Sequence, residues 1–313
     1  NKANKKALLK LIEEKNIAKK KDSQTTLFDN EMVPIDYSKI DESVLECIEK
    51  NDKSIEEYDV FQFTRSYKYS VICSIENFEN LMEKVELLPT YKYNVDEINL
   101  YDEVKSPVKY NLDNYTMVVF NKKYEAIHPQ TGDELLLHYP VLLVFHKDLE
   151  LVEIRFDSVK RLFTGGERDQ TIYIKLIEDV LAFFLENYNA ELKPLDLEFM
   201  IEMSKKDENE DIKLISQYMN LSTGGKAQLT VGNNEEYVLP IIGELKNIIN
   251  DLKEELDKNL KIKDALEQFI YEKEETTDYP WIEVLFMNKE GIKTRNNHVK
   301  FIFNYMGKPY SLI

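Results

Sequence analysis

The sequence predicts an α+β fold: an antiparallel β-meander packed on helices, with a helix-rich C-terminal lobe ending in a β-hairpin. Three observations carry this expectation. Residues 116–156 hold four strand-like runs, TMVVF, YEAIH, LLLHYPVLLVF and LVEIRF, separated by short polar links. Links that short make hairpins, because a parallel pair needs a much longer crossover. Residues 169–188 then return Ile172, Leu176, Val180, Phe183, Phe184 and Tyr188 at spacings of three and four, the period of one helix face. Finally, Pro240 stands where a helix can start, and Ile242, Leu245, Ile249, Leu252 and Leu256 follow it at heptad spacing.

The chain is long enough for one large domain or two ordinary ones, at 313 residues. Hydrophobic residues make up 43% of it, with 15 Phe and 19 Tyr, so a sizeable core can be buried. Residues 1–21 read as a basic helix with Ala7, Leu8, Leu11, Ile12 and Ala18 as a narrow apolar stripe, followed by a polar connector to Pro34. A helix is expected around 38–50, then two strands within 58–75 that break near Arg65–Ser66, then a helix over 76–88. Residues 90–114 read as irregular. In the meander, Asn121–Lys123 is expected to be a turn, and Pro140 to sit at an edge or bulge because it cannot donate to a ladder. Residues 205–211 read as a solvated loop, 212–221 as helical, and the runs either side of Gly232–Asn234 as a hairpin. The helix from Pro240 is expected to continue to about Tyr271 as a spine on the order of 45 Å long. Two strands, 281–288 and 298–305, close the chain. The expected organisation is therefore 1–34 as basic helix and connector, 35–165 as an α+β domain with the antiparallel sheet, and 166–313 as a helical lobe with the spine helix (240–271) and the terminal hairpin.

Charge is segregated. The net charge is −17, yet residues 1–21 carry eight Lys against two Glu and residues 287–313 carry five basic side chains against Glu290. With +6 and +4 at the ends, the residues between them hold −27. Such a body repels a phosphate backbone, so contact with nucleic acid would have to run through residues 1–21 and 289–300. Docking of the basic ends onto the acidic body is an equal physical alternative. No apolar run approaches the ~20 residues that span a bilayer, no apolar stretch of the secretory kind follows the N-terminal lysines, and Cys47 and Cys73 have neither zinc-finger nor CxxC spacing. The expectation is a cytoplasmic protein with thiols kept reduced. The Lys/Asn/Ile/Glu-rich usage associates with AT-rich bacterial or phage genomes.

Residues 151–157, LVEIRFD, pose the sharpest chemical question. A strand sends Val152, Ile154 and Phe156 to one side and Glu153, Arg155 and Asp157 to the other. Those charges with a facing histidine could do acid–base work, but an alternating ladder on a solvated or interface face is the favoured reading. With a two-residue loop Asp157 faces His138; with a four-residue loop it faces Pro140.

Four weaker constellations remain. Lys160, Arg161 and Arg168 flank the Gly165–Gly166 entry to a helix and could hold an anion, although Asp169 is placed to cap that helix itself. Lys293, Arg295 and Lys300 form a basic hairpin tip that could meet phosphates. Glu244 and Lys246 match the Glu-x-Lys pair of metal-dependent nucleases, with Asp196 or Asp211 as the needed upstream carboxylate, but their helical surroundings argue against it. STGGKA (222–227) lacks the first glycine and the Ser/Thr of a phosphate loop. Histidine is confined to His128, His138, His146 and His298, in no zinc or triad arrangement. No cofactor or resident metal is expected. The function expected from these residues is that of a non-catalytic interaction or adaptor protein acting on a protein partner or on itself. The alternative is a nucleic-acid-binding or nuclease component, as in a defence or mobile-element system, working through the basic ends.

Overall fold

In the computed structural model the described residues are 2–21, 32–91, 107–112, 114–165, 169–197, 199–200, 203, 212–220, 226–230, 240–275, 278–286, 298–305 and 308–312. The fold is α+β, and the chain forms two compact units, residues 1–193 and 194–313.

The first unit begins with α1 (Lys2–Glu14), which is followed by the short strand β1 (Ala18–Lys20). The expected helix over 1–21 therefore stops early. Asn16 takes positive φ (57°) after the helix, and Ala18 to Lys20 pair in parallel with β2 (Val33–Ile35). Two helices follow, α2 (Ile40–Lys50) and α3 (Asp52–Thr64). Leu8, Leu9 and Ile12 of α1 and Ile40, Val44 and Cys47 of α2 share one buried cluster with Val33 and Ile35.

Helix α3 corrects the expectation of a strand over the first part of 58–75. Its aromatic and β-branched residues alternate like a strand's, but Asn51 caps the segment by accepting from the Lys53 amide at 3.0 Å. Phe63 is then turned onto a sheet. Strand β3 (Tyr69–Ser74) and helix α4 (Phe78–Glu86) follow. The sheet continues with β4 (Val108–Leu112), β5 (Tyr115–Ile127), β6 (Glu134–His146) and β7 (Leu151–Phe156), and α5 (Asp169–Tyr188) completes the layer. Spatial order is β3-β7-β6-β5-β4, antiparallel throughout. The turn expected at Asn121–Lys123 is absent: β5 runs through it unbroken, with Asn121 opposite Pro140 and Lys123 opposite His138.

Both faces of this sheet are covered. One carries Val141, Leu143 and Phe145 of β6 and Val152, Ile154 and Phe156 of β7, and receives α5 through Phe184 and Tyr173. The other carries Met117, Val119, Leu142 and Val144, packed with Phe63 and Tyr67. Cys47 and Cys73 are buried free thiols, and burial pushes their pKa values up to about 11 and about 12. Because the thiolate is the reactive form, both are expected to resist a thiol reagent in the native protein and to react on unfolding. Rapid stoichiometric labelling under native conditions would contradict that.

The tiny strand β8 (Lys193–Pro194) lies at the boundary, and the second unit contains β9 (Ile212–Asn220), β10 (Lys226–Thr230), β11 (Asp278–Phe286), β12 (His298–Tyr305) and β13 (Lys308–Leu312), in the order β10-β9-β11-β12-β13 and antiparallel. Residues 212–220 are thus a strand and not the expected helix; their apolar residues suit either period, and pairing with β10 and β11 decides it. β10 pairs with β9, and the second strand of the hairpin expected around Gly232–Asn234 falls in residues 231–239, outside the described residues. The β11–β12 pairing is as expected, but these strands do not close the chain: β13 follows and pairs with β12. Leu214, Ile282, Val284, Val299 and Phe301 form this unit's buried centre.

The continuous spine helix over 240–271 is not formed. Three helices occupy the segment: α6 (Pro240–Asp251), α7 (Lys253–Leu256) and α8 (Leu260–Glu275). Leu252 leaves helical backbone at φ −101°, ψ 18°. Ile249 and Ile270 share a cluster with Leu245, Leu256 and Leu266. In an unbroken helix they would stand roughly 30 Å apart, so the chain doubles back as a helical hairpin. The polar Asn259 falls where the heptad seam needs an apolar residue, and the reversal is placed there.

Candidate functional site

The charged face of β7 is interior. Lys147 to Glu150 form a four-residue connection, which sets Arg155 across from Leu142 and Glu153 across from Val144. On the other side Arg155 faces Ser70 and Glu153 faces Ile72. Glu153 and Arg155 are only 8% and 9% exposed, so the solvated ladder expected from the alternation is overturned. The alternation is real, but both sides of the sheet are covered.

The buried charges are matched group by group. Arg155 Nη2 donates to Glu153 Oε2 at 2.6 Å, Ser70 Oγ donates to Glu153 Oε1 at 2.6 Å, and His146 Nε2 lies 3.0 Å from Glu153 Oε2. Burial by itself would raise the Glu153 pKa. The Arg155 charge and the hydrogen bonds from His146, Arg155 and Ser70 outweigh it and hold the carboxyl far below the usual carboxylate range. A general acid or base needs a pKa near the working pH, and this carboxylate is displaced the other way.

Asp157 belongs to a second network. Its Oδ2 accepts from Arg65 Nη1 at 2.5 Å and its Oδ1 from the Lys68 amide at 3.2 Å. Arg65 also donates from Nε to Gln62 Oε1 at 2.9 Å, and its guanidinium stacks 3.8 Å from the Tyr67 ring centre. The Arg65–Asp157 pair forms one wall of a groove of about 600 Å³, which Asn4, Tyr58, His138 and Lys160 also line.

Of the expected anion-binding residues, Lys160 reaches that groove, Arg161 opens an exposed 3₁₀ turn, and Arg168 lies outside the described residues. Beside that turn is a hollow of about 460 Å³ lined by Lys122, Lys123, Lys175, Asp179 and Thr164. Lys122 is paired to Asp179 there. These lysines come from β5 and α5, far apart in sequence, and no local motif announces them.

Glu244 and Lys246 lie on α6, so the strand that carries the nuclease pair is not formed at these positions. Lys300 sits on β12 directly across from Glu283, while Lys293, Arg295 and Asp211 lie outside the described residues. At the N-terminal end, Lys5 Nζ of α1 lies 2.9 Å from Asp41 of α2, and Lys15 Nζ, just past α1, lies 3.5 Å from Glu57 of α3. Among the described residues no group of three or more His, Cys, Asp or Glu is arranged to hold a metal ion, and no helix is long and apolar enough to cross a membrane.

Among the described residues, the α6–α8 hairpin gathers several half-exposed apolar side chains. Ile248 and Leu252 of its first arm and Ile262 and Phe269 of α8 stay between 44% and 50% exposed. On helical spacing Ile248 of α6 and Ile262 and Phe269 of α8 lie roughly 70–80° to one side of the seam that buries Ile249 and Ile270, and Leu252 follows directly after α6. Because the two helices run in opposite directions, both offsets fall on the same face. Sequence reasoning saw the heptad run but assigned it to one straight helix, so this face was hidden. No protein-family model matches the chain, and no curated protein matches it.

Proposed function

We propose that this is a non-catalytic interaction protein that binds a protein partner through the open face of the α6–α8 hairpin. One observation carries the reading: four large apolar side chains, each about half exposed, gathered on one face of a hairpin whose adjoining seam is already packed. Covering the exposed half of each contributes on the order of 1 kcal/mol, enough in sum to favour a partner. The matched state of Glu153, Arg155, Asp157 and Arg65 supports a structural role for the charges that looked most like a reaction centre. The Lys5–Asp41 and Lys15–Glu57 pairs favour intramolecular docking of the basic N-terminal helix over capture of nucleic acid. We place the protein in a reducing cytoplasm, in keeping with two buried free thiols.

The test is site-specific photo-cross-linking in the native cells, with the full chain carrying the probe at Ile262 or Ile248 and a control at Asp264. Covalent adducts with protein are expected from the two face positions and not from the control. Adduct-free chain at both face positions would overturn the proposal.

A further inference from the structure

Resting on that reading, we infer that the occupant of the hairpin face is a second copy of this chain, with α8 packed antiparallel on α8 of its mate. A helical hairpin is half of a four-helix bundle, and a two-fold axis completes it with one surface used twice. The face on α8 has the symmetry this needs. Ile262 and Phe269 are the two large residues of its stripe, with the small Ala265 exposed between them. An axis crossing near residue 265 sets Ile262 of each copy against Phe269 of the other and brings the helices close at Ala265.

Charge selects this arrangement over the parallel one. On the outer margin of the stripe stand Lys261 near one end of α8 and Glu272 near the other, both exposed, with Gln268 between them donating to Glu272 at 2.9 Å. Helical spacing of 100° per residue puts Lys261, Gln268 and Glu272 within about 40° of one another. The antiparallel register that pairs Ile262 with Phe269 sets Lys261 of each copy about 3 Å along the axis from the other's Glu272, within reach of the two side chains. A parallel pairing would oppose Lys to Lys and Glu to Glu. Ile248 of the neighbouring helix, with Leu252 just past its end, closes the side of the bundle.

Light scattering and sedimentation equilibrium on the full chain test this. The expected result is a monomer–dimer equilibrium. Lys261→Glu alone should weaken the dimer about tenfold, because two symmetric attractions become repulsions. Lys261→Glu combined with Glu272→Lys should restore it to near the original affinity, a recovery that general loss of fold cannot mimic. Phe269→Asp should leave a folded monomer, with an unchanged far-ultraviolet circular dichroism spectrum and an unfolding midpoint that no longer depends on protein concentration. A chain monomeric at every concentration, or a charge swap that fails to recover, overturns the inference. The photo-adduct at Ile262 separates this inference from the docking reading. An adduct of two copies supports both; an adduct with a different protein keeps docking and overturns self-association.

Discussion

Glu153→Ala is expected to destabilise the first unit by roughly 3–5 kcal/mol, far more than the loss of a surface carboxylate. The change removes the acceptor for Arg155 and Ser70 and leaves the guanidinium buried without a counter-charge. Most of the loss comes from that stranded charge, and the worth of the pair itself is small. The double variant Glu153→Leu with Arg155→Met is therefore expected to return close to the parent stability, since a buried ion pair seldom outperforms apolar groups of similar volume. Denaturant midpoints at unchanged slope provide the measurement. A Glu153→Ala cost below that of an ordinary surface change would mean that Arg155 is hydrated in solution and that the network is not enclosed.

The same carboxylate predicts a pH dependence with a definite sign. Its folded pKa lies below the unfolded value of about 4.3. The unfolded chain therefore binds the proton first as pH falls. The stabilisation is complete above the unfolded value and drains away as pH drops from there towards the folded one. The parent should lose stability on acidification below about pH 5, and the Leu/Met double variant should lose less of it. Equal acid sensitivity in the two proteins would remove Glu153 from the account.

How much of this was legible depended on whether the deciding force was local. Helix α5 was readable because its stripe is repeated over five turns, and the meander was readable because its links are too short for any other connection. The burial of Glu153 and Arg155 was not readable: alternation fixes which side chains share a face, and only α3, placed on that side by contacts remote in sequence, makes the face interior. Helix α3 itself was misread because Tyr58, Val60, Phe61 and Phe63 suit a strand; the Asn51 cap was the signal that could have corrected it. The spine helix failed for the converse reason. Its heptads are sound, but an apolar seam is satisfied as well by the chain folding back on itself as by a separate partner, and Asn259 was the cue. The lysine hollow beside the 3₁₀ turn joins β5 to α5 and leaves no mark within either segment.

Phe184→Ala is the second large expected effect, at roughly 3–5 kcal/mol. Phe184 is fully buried at the centre of a ring cluster, with Phe120, Phe145, Phe183 and Tyr188 at centroid distances of 6.1, 6.0, 5.7 and 5.5 Å. It seats α5 on the face of the sheet opposite the Glu153 network, so truncation opens a cavity between helix and strands that rigid β5 and β6 cannot fill. Phe183 supplies the internal comparison. It touches Phe120 edge-on at 4.8 Å but is only half-buried, so Phe183→Ala leaves a notch that water can enter and should cost clearly less. The two variants have the same chemistry on adjacent residues, and only depth separates them. Hydrogen exchange should then show α5 opening at lower free energy than β6 in Phe184→Ala, because the helix loses its anchor while the ladder keeps its hydrogen bonds. Should Phe183→Ala prove the more damaging of the two, α5 must be rotated about its axis so that Phe183 and not Phe184 meets the sheet, and the face of the sheet that it covers would have to be reassigned.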